Sequence, residues 1–191
     1  MMLKRYKWND LTFFSIVDRF MCPADPYASC YLNTLTSYAL NTQYRYGTEL
    51  LFVLKYFEKN GPNLADRVSS GKLLTQKEYS RFYEYSCLPG QRNSNHNLVP
   101  LFPSMEDKRL RNIVSANVHI SSRVSDATQQ GRIRRLRMYL TWLFEHFHDP
   151  IDAGVSLNAR FEKLIAKIRI DEKALNGSSG QQVRNPDDSA I

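Results

Sequence analysis

The sequence predicts a mostly α-helical fold, a helical bundle with a small β element at its N-terminus. Apolar residues recur at helical spacing through much of residues 42–168. The start of the chain instead contains the run LTFFSIVDRF, whose aromatic and β-branched residues are typical of a strand or a hairpin. The chain has 191 residues, of which 42% are hydrophobic, so it is long and apolar enough to bury a core.

An N-terminal unit is predicted over residues 1–37. The β element forms its first part. The segment CPADPYASC comes next, and its two prolines favour a connecting loop. The unit therefore consists of a β element and a proline-containing loop.

Two long helices are predicted between residues 40 and 88. The first lies in NTQYRYGTELLFVLKYFEKNG, where Asn41 or Thr42 caps the start and the run Asn-Gly-Pro at 60–62 stops the helix. The second begins at Thr75, and Glu78 lies at the spacing of a capping box. Residues 89–103 are rich in Gly, Asn and Pro, so we expect a loop there.

The remaining chain predicts three more helices and a tail. A basic helix is expected near 105–117, a long helix near 126–147 and a further helix near 156–174. The helical domain thus covers 38–175, with a loop and basic insert near 89–125. Residues 176–191, NGSSGQQVRNPDDSAI, have the composition of a flexible linker. The long helix presents one apolar sector to a core, formed by Ile133, Leu136, Leu140, Leu143, Phe144 and Phe147.

The net positive charge of the chain is concentrated in one stretch. The chain has 26 Lys and Arg against 19 Asp and Glu, a net charge of +7. Between Lys108 and Arg137 there are eight basic residues and one acid, Asp126, so this stretch alone carries +7. Concentrated charge of one sign produces a local field that attracts a polyanion. Nucleic acid is therefore the first candidate partner, and a solvated basic face without a ligand is the alternative.

Four arginines lie in the first half of the helix near 126–147. Positive charge near a helix N-terminus opposes the helix dipole, at a cost of a few tenths of a kcal/mol per charge, so helix stability does not favour these arginines. Backbone donors and guanidinium groups at a helix N-terminus do form a good phosphate-binding surface. We therefore predict DNA contacts by Arg132, Arg134, Arg135 and Arg137, by Arg45 in the earlier helix, and by Lys108, Arg109 and Arg111.

The first predicted helix, in NTQYRYGTELLFVLKYFEKNG, and the long helix near 126–147 share a residue pattern at an offset of 86 residues. Their Thr, Tyr or Arg, and Leu positions coincide: Thr42 with Thr128, Tyr46 with Arg132, Leu50 with Leu136, Leu54 with Leu140, and Phe57 with Leu143. Chance similarity between amphipathic helices is one explanation. A common family pattern is the other.

These helices resemble a known family. SYALNTQYRYGTELLFVLKYFEKNG is similar to the first helix of the core-binding, SAM-like domain of tyrosine recombinases (phage-type integrases), and VSDATQQGRIRRLRMYLTWLFEHF is similar to a later helix of that domain. The resemblance covers roughly residues 38–175. It implies a helical domain that holds one face of double-stranded DNA during integration of a mobile element, and it allows self-association on the DNA. It also implies a separate catalytic domain beyond a linker.

The catalytic residues of that family are not found in this chain. The family uses a His-x-x-Arg pair and a nucleophilic Tyr, among other groups. HISSR, residues 119–123, has one residue too many between His and Arg, and no Tyr follows Tyr139. We therefore expect that this chain alone does not cut DNA. Two alternatives remain open, a helical regulator or adaptor without a catalytic partner and an RNA-binding module.

Other site types are weakly indicated. His146 and His148 lie two residues apart on a helix and point to different faces, so no metal site is expected. No Gly-rich phosphate loop is present, and we expect neither a cofactor nor a small-molecule substrate. The three cysteines match no disulfide or zinc spacing and are expected to be reduced. The sequence contains no apolar run of bilayer length and no recognisable signal peptide, so we expect a cytoplasmic location and no membrane partner.

Overall fold

The structure is a computed structural model that describes residues 1–9, 11–89, 123–148 and 154–177. Within these residues the fold is mostly helical, with one two-stranded antiparallel sheet at the N-terminus, as the sequence predicts. The expected basic helix near 105–117, with Lys108, Arg109 and Arg111, lies outside the described residues, as does the tail after residue 177. The elements are β1 (Met2–Trp8), β2 (Leu11–Val17), α1 (Pro26–Asn33), α2 (Leu40–Asn60), α3 (Leu64–Ser69), α4 (Gln76–Ser86), α5 (Asp126–Phe147) and α6 (Val155–Gly177).

The β element is a hairpin whose open end packs on the helices. Met2 pairs with Val17 and Trp8 pairs with Leu11 at the turn. Near the open end Ile16 is fully buried, and Leu3 lies against Gly47 of α2. A Cβ atom at residue 47 would lie 2.8 Å from Leu3 Cδ1, so glycine at this position permits the close approach of hairpin and helix.

Helix α1 corrects the prediction of a loop over CPADPYASC. Asp25 is the N-cap, and its Oδ1 accepts the N–H of Ala28 at 3.0 Å. Pro26 occupies the first turn, where the missing N–H of proline costs no helical hydrogen bond. Pro26 therefore marks the start of helix α1. The short helix α3 was also not predicted, although Asn63 caps it in the same way.

The ends of α2 and α4 differ in how well the sequence predicts them. Helix α2 begins at Leu40 and has no side-chain cap, so the predicted cap at Asn41 or Thr42 is wrong; both residues lie in the first turn. It ends at Asn60, as predicted. The capping box of α4 is confirmed. Thr75 Oγ1 accepts the N–H of Glu78, and the Glu78 carboxylate accepts the N–H of Thr75 at 2.8 Å.

Helix α5 lies at the centre of the fold. It packs against α1, α2, α3, α4 and α6, and the predicted apolar sector is buried except for Phe147, which is partly exposed. Phe144 of α5 stacks on Phe161 of α6 with ring centroids 3.9 Å apart. Residues of the hairpin, α1 and the later helices share one hydrophobic core, so residues 1–37 pack together with the helical region.

None of the helices in the described ranges is long and apolar enough to span a lipid bilayer.

Candidate nucleic-acid interface

Arg135 is a fully buried arginine in the middle of the fold. Its Nε and Nη2 both lie 3.3 Å from Glu49 Oε2 in α2, and its Nη1 donates to the Tyr31 hydroxyl at 2.9 Å. The guanidinium also lies 3.6 Å from the centroid of the Tyr46 ring, a cation–π contact. Its charge and donors are thus occupied by the protein itself, and its side chain is not presented to a ligand.

Arg132 of α5 is also held within the protein, by contacts with residues at the end of α4. It is 8% exposed, and its Nη1 donates to the carbonyl oxygens of Ser86 and Leu88 at 2.7 and 2.6 Å. The guanidinium lies 3.7 Å from the centroid of the Phe52 ring. Burial lowers the pKa of Arg132, but an arginine stays protonated in proteins. This residue connects α2, α4 and α5.

Arg134 and Arg137 share one carboxylate of α6. Arg134 Nε donates to Glu172 Oε1 at 2.6 Å, and Arg137 Nε donates to Glu172 Oε2 at 2.8 Å. The Arg134 side chain remains 42% exposed, whereas that of Arg137 is 20% exposed. Among the four predicted contact arginines of α5, Arg134 is therefore the most accessible.

These contacts explain why four basic residues occur at the start of α5. The sequence indicated that something outside the helix must favour them, and we predicted phosphates. The structure supplies partners within the chain: Glu49 for Arg135, backbone carbonyls for Arg132, and Glu172 for Arg134 and Arg137. Because α5 begins at Asp126, these arginines lie beyond its first turn, where the helix dipole opposes positive charge little.

A cleft of about 700 Å³ lies between α2 and the start of α5, with Tyr85 of α4 also in its wall. Four basic side chains line it, three of them exposed and one partly exposed. Arg45, Lys55 and Lys59 come from α2 and Arg134 from α5. The Arg45 side chain is 66% exposed, and its Nε lies 3.9 Å from Glu49 Oε1. The described salt bridges include neither Lys55 nor Lys59.

The α2 wall of the cleft is a stripe along one side of the helix. Tyr44, Thr48, Lys55 and Lys59 succeed one another at spacings of four, seven and four residues. Over 15 residues, at 1.5 Å per residue, the stripe is about 22 Å long. It therefore offers aromatic, hydroxyl and basic groups along a length of several nucleotides.

Gly131 permits the close contact of α5 with α2 at the inner end of this cleft. A Cβ atom at this position would lie 2.5 Å from Glu49 Oε1. Glu49 cannot easily move aside, because its other oxygen accepts from Arg135. Glycine at residue 131 thus leaves room for the Glu49 carboxylate, which lies between Arg45 and Arg135.

The cleft changes the set of candidate site residues. Of the predicted DNA contacts, Arg45 lines the cleft with an exposed side chain and Arg134 with a partly exposed one. Arg132 lines the cleft but is buried, and Arg135 and Arg137 do not line it. The prediction from the sequence missed Lys55, Lys59 and Tyr44. Their helical spacing along the polar side of α2 was a usable signal. The prediction instead favoured the stretch between Lys108 and Arg137, where the net charge is concentrated.

No metal site occurs among the described residues, where no group of three or more His, Cys, Asp or Glu side chains comes together. The three cysteines are free thiols.

No family model matches the chain, and neither does any curated protein or solved structure. The resemblance to tyrosine recombinases therefore stays a prediction from the sequence. The geometry and charge of the cleft are the remaining guide to function.

The Glu172 ion pairs predict a loss of stability in acid. Burial raises the pKa of the Glu172 carboxyl, but the hydrogen bonds and charges of Arg137 and Arg134 outweigh it, so the net pKa lies below the ordinary value of 4.5. The unfolded chain therefore takes up this proton first as the pH falls. The stabilisation is present above pH 4.5 and is lost as the pH falls through the lower, folded pKa.

We expect the thermal midpoint of the wild type to fall more steeply than that of Glu172→Gln below this pH. The glutamine keeps the size of the side chain but cannot ionise. Glu78, whose pKa is also lowered, titrates in the same window and is unchanged in both proteins, so the difference between the two curves reports Glu172. Parallel curves would show that ionisation of Glu172 contributes no stability over this pH range.

Proposed function

We propose that this chain binds double-stranded DNA through the cleft between α2 and α5. The observation that supports the proposal is the convergence of Arg45, Lys55, Lys59 and Arg134 on one cleft, whose α2 wall is about 22 Å long. Lysine and arginine neutralise phosphates and release counterions, and this sequence-independent contribution supplies much of the affinity of DNA-binding proteins. A basic cleft of this length fits a stretch of phosphate backbone.

The buried arginines strengthen the field at this cleft, although they do not contact the ligand. Seven basic residues, Arg45, Lys55, Lys59, Arg132, Arg134, Arg135 and Arg137, lie in the cleft or next to it. Their carboxylate partners are Glu49 and Glu172, so the group carries a net charge of +5. Positive charge in a partly desolvated setting is screened less than exposed charge. It therefore attracts a polyanion toward the cleft.

Polar groups at the cleft suit hydrogen bonding to the phosphate backbone. Thr128 and Gln130 line it beside the basic residues, and hydroxyl and amide side chains are common donors to phosphate oxygens. Gln130 Nε2 donates one hydrogen to the Glu172 carbonyl and has a second N–H, whereas the Thr48 hydroxyl already donates to the Tyr44 carbonyl. Such contacts position a duplex without selecting its sequence. We therefore propose binding that tolerates different sequences.

We further propose that the chain is the DNA-holding part of a site-specific recombinase of the tyrosine type, with a SAM-like core-binding domain. The support for this step is the sequence resemblance over residues 38–175. The chain lacks the His-x-x-Arg pair and the nucleophilic Tyr of the family, so the cutting and joining steps belong to another domain. A reading frame that continues past Ile191 into these residues would support this assignment.

Replacing Lys55 and Lys59 together with Ala tests the proposed cleft. We expect weaker binding to all duplexes by similar factors. Each phosphate contact contributes about −0.9 to the slope of log K against log salt concentration, so the slope should become shallower by about 2. Fluorescence anisotropy with two unrelated duplexes at several salt concentrations measures both quantities.

The matched control replaces Lys163 and Lys173, which are exposed lysines of α6 that do not line the cleft. This variant has the same net charge as the cleft variant and should bind nearly as the wild type does. Equal losses in both variants would reject the cleft and leave only a general charge effect. Tighter binding to structured RNA than to duplex DNA at one salt concentration would favour the RNA-binding alternative.

A further inference from the structure

The tip of the hairpin exposes an aromatic ladder. Trp8 is 73% exposed and its cross-strand partner Leu11 is 69% exposed. The next pair on the same face is Tyr6 with Phe13, whose rings stack with centroids 5.5 Å apart. Large apolar side chains at a protruding tip add nothing to the core, so their exposure indicates a binding surface.

The charge around this ladder favours an anionic partner. Lys4, Arg5 and Lys7 belong to β1, and neither strand contains an acid. Asp10 stands between the strands in the sequence, so residues 2–17 carry a net charge of +2. Arg5 and Lys7 are exposed. Side chains alternate along a strand, so Lys4 shares the face of Tyr6 and Trp8, whereas Arg5 and Lys7 project from the opposite face of the same narrow hairpin. Rings and cations together bind unpaired nucleotides, because bases stack on the rings while phosphates contact the cations.

The hairpin also adjoins the cleft. Arg5 pairs with Phe14, and cross-strand neighbours share a face of the sheet. The Phe14 ring lies 6.0 Å from the ring of Tyr44, which begins the α2 stripe. Arg5 and Lys7 therefore lie on the side of the hairpin that faces this end of the cleft, whereas Tyr6 and Trp8 lie on the opposite side.

We propose that the hairpin tip binds unpaired bases of a nucleic acid whose paired region occupies the cleft. Arg5 and Lys7 contact the phosphates of the strand on the side of the hairpin that faces the cleft, and Trp8 stacks on an exposed base where the strand has crossed to the opposite side of the tip. The proposal rests on the proposed function, since the cleft holds the neighbouring duplex. It adds a ligand class, the single-stranded or locally opened segment next to a duplex.

The fluorescence of Trp8 can report directly on binding at the hairpin tip. The chain has two tryptophans, and the other, Trp142, is half-buried and stacked on His146. In a Trp142→Phe background the emission comes from Trp8 alone. We expect a duplex with a single-stranded overhang to quench this emission and to protect it from acrylamide. A fully paired duplex should change it little.

Affinity gives the second readout. Trp8→Ala should lower the affinity for the overhang duplex about tenfold, the size of one base–aromatic stack, and the affinity for the fully paired duplex less than about twofold. Trp8→Phe keeps a ring and should recover most of the loss. Phe20→Ala is the matched control, because Phe20 is 69% exposed but lies outside both strands.

The outcomes separate this proposal from the proposed function. If the Lys55 and Lys59 variant loses duplex binding while Trp8→Ala binds the overhang duplex normally, the cleft stands and the hairpin proposal is wrong. If Trp8→Ala instead abolishes a dimer seen by light scattering without changing DNA affinity, the ladder binds a second copy, which also overturns it. Circular dichroism of each variant confirms that the fold is retained.

Discussion

Replacing Arg135 with Met is expected to lower the free energy of unfolding by about 3–5 kcal/mol, the usual cost of removing one partner from a buried ion pair. The change leaves the Glu49 carboxylate without the Arg135 donors and removes the bond to the Tyr31 hydroxyl. It also removes the cation from the face of the Tyr46 ring. Chemical denaturation monitored by circular dichroism measures the effect.

A double-mutant cycle with Glu49→Gln is the control for this prediction. Once Arg135 is absent, neutralising Glu49 relieves an uncompensated charge, so the double variant should lose less than the two single variants together. Arg137→Met, at a pair that Arg134 also serves, should cost clearly less. An Arg135→Met protein as stable as the wild type would contradict this structural role.

This stability effect changes how DNA-binding experiments are designed. The sequence predicts phosphate contacts by both Arg134 and Arg135, so replacing the two together with Ala would be a direct test of binding. Because Arg135 is fully buried, that double variant loses stability as well as charge. A single Arg134→Ala variant, whose side chain is partly exposed, tests binding without this complication.

Replacing Arg132 with Met should lower the free energy of unfolding by about 2–3 kcal/mol. Two carbonyl oxygens at the end of α4, those of Ser86 and Leu88, lose their donor, and a buried acceptor without a partner costs about 1–3 kcal/mol. Methionine fills most of the same space, so the loss reports the guanidinium more than the volume.

Arg132→Lys is the matched variant for this prediction. It keeps the charge but lacks the planar group that lies over the Phe52 ring, so it should recover only part of the loss. Hydrogen exchange at the end of α4 should be faster in Arg132→Met than in the wild type. Unchanged stability and exchange would show that water replaces the arginine donors without cost.

Several elements were predictable because their signals are local. The period of the apolar residues predicted α5 and α6, and the Thr75 and Glu78 spacing predicted the capping box of α4. The aromatic and β-branched start predicted a strand or a hairpin, and a hairpin forms. Each signal depends on residues within a turn or two of one another, which sequence inspection detects directly.

Misjudged elements show where local signals conflict. The prolines of CPADPYASC predicted a loop, but Asp25 with Pro26 directly after it is also a cap with proline in the first turn. Such a pair starts a helix or interrupts one, depending on whether the next residues can pack. Packing of Ala28, Tyr31 and Leu32 into the core selects the helix.

The sequence by itself determined a mostly helical chain, a basic stretch and the amphipathic face of α5. Only the tertiary structure decided what the arginines of that stretch do. Arg135 meets a carboxylate 86 residues earlier, and Arg134 meets one 38 residues later. Helix periodicity and the helix dipole act within one element, so neither reveals such partners. The folded chain buries two of these arginines and leaves Arg134 at a cleft beside Lys55 and Lys59, because side-chain burial and ion pairing depend on which distant segments pack together.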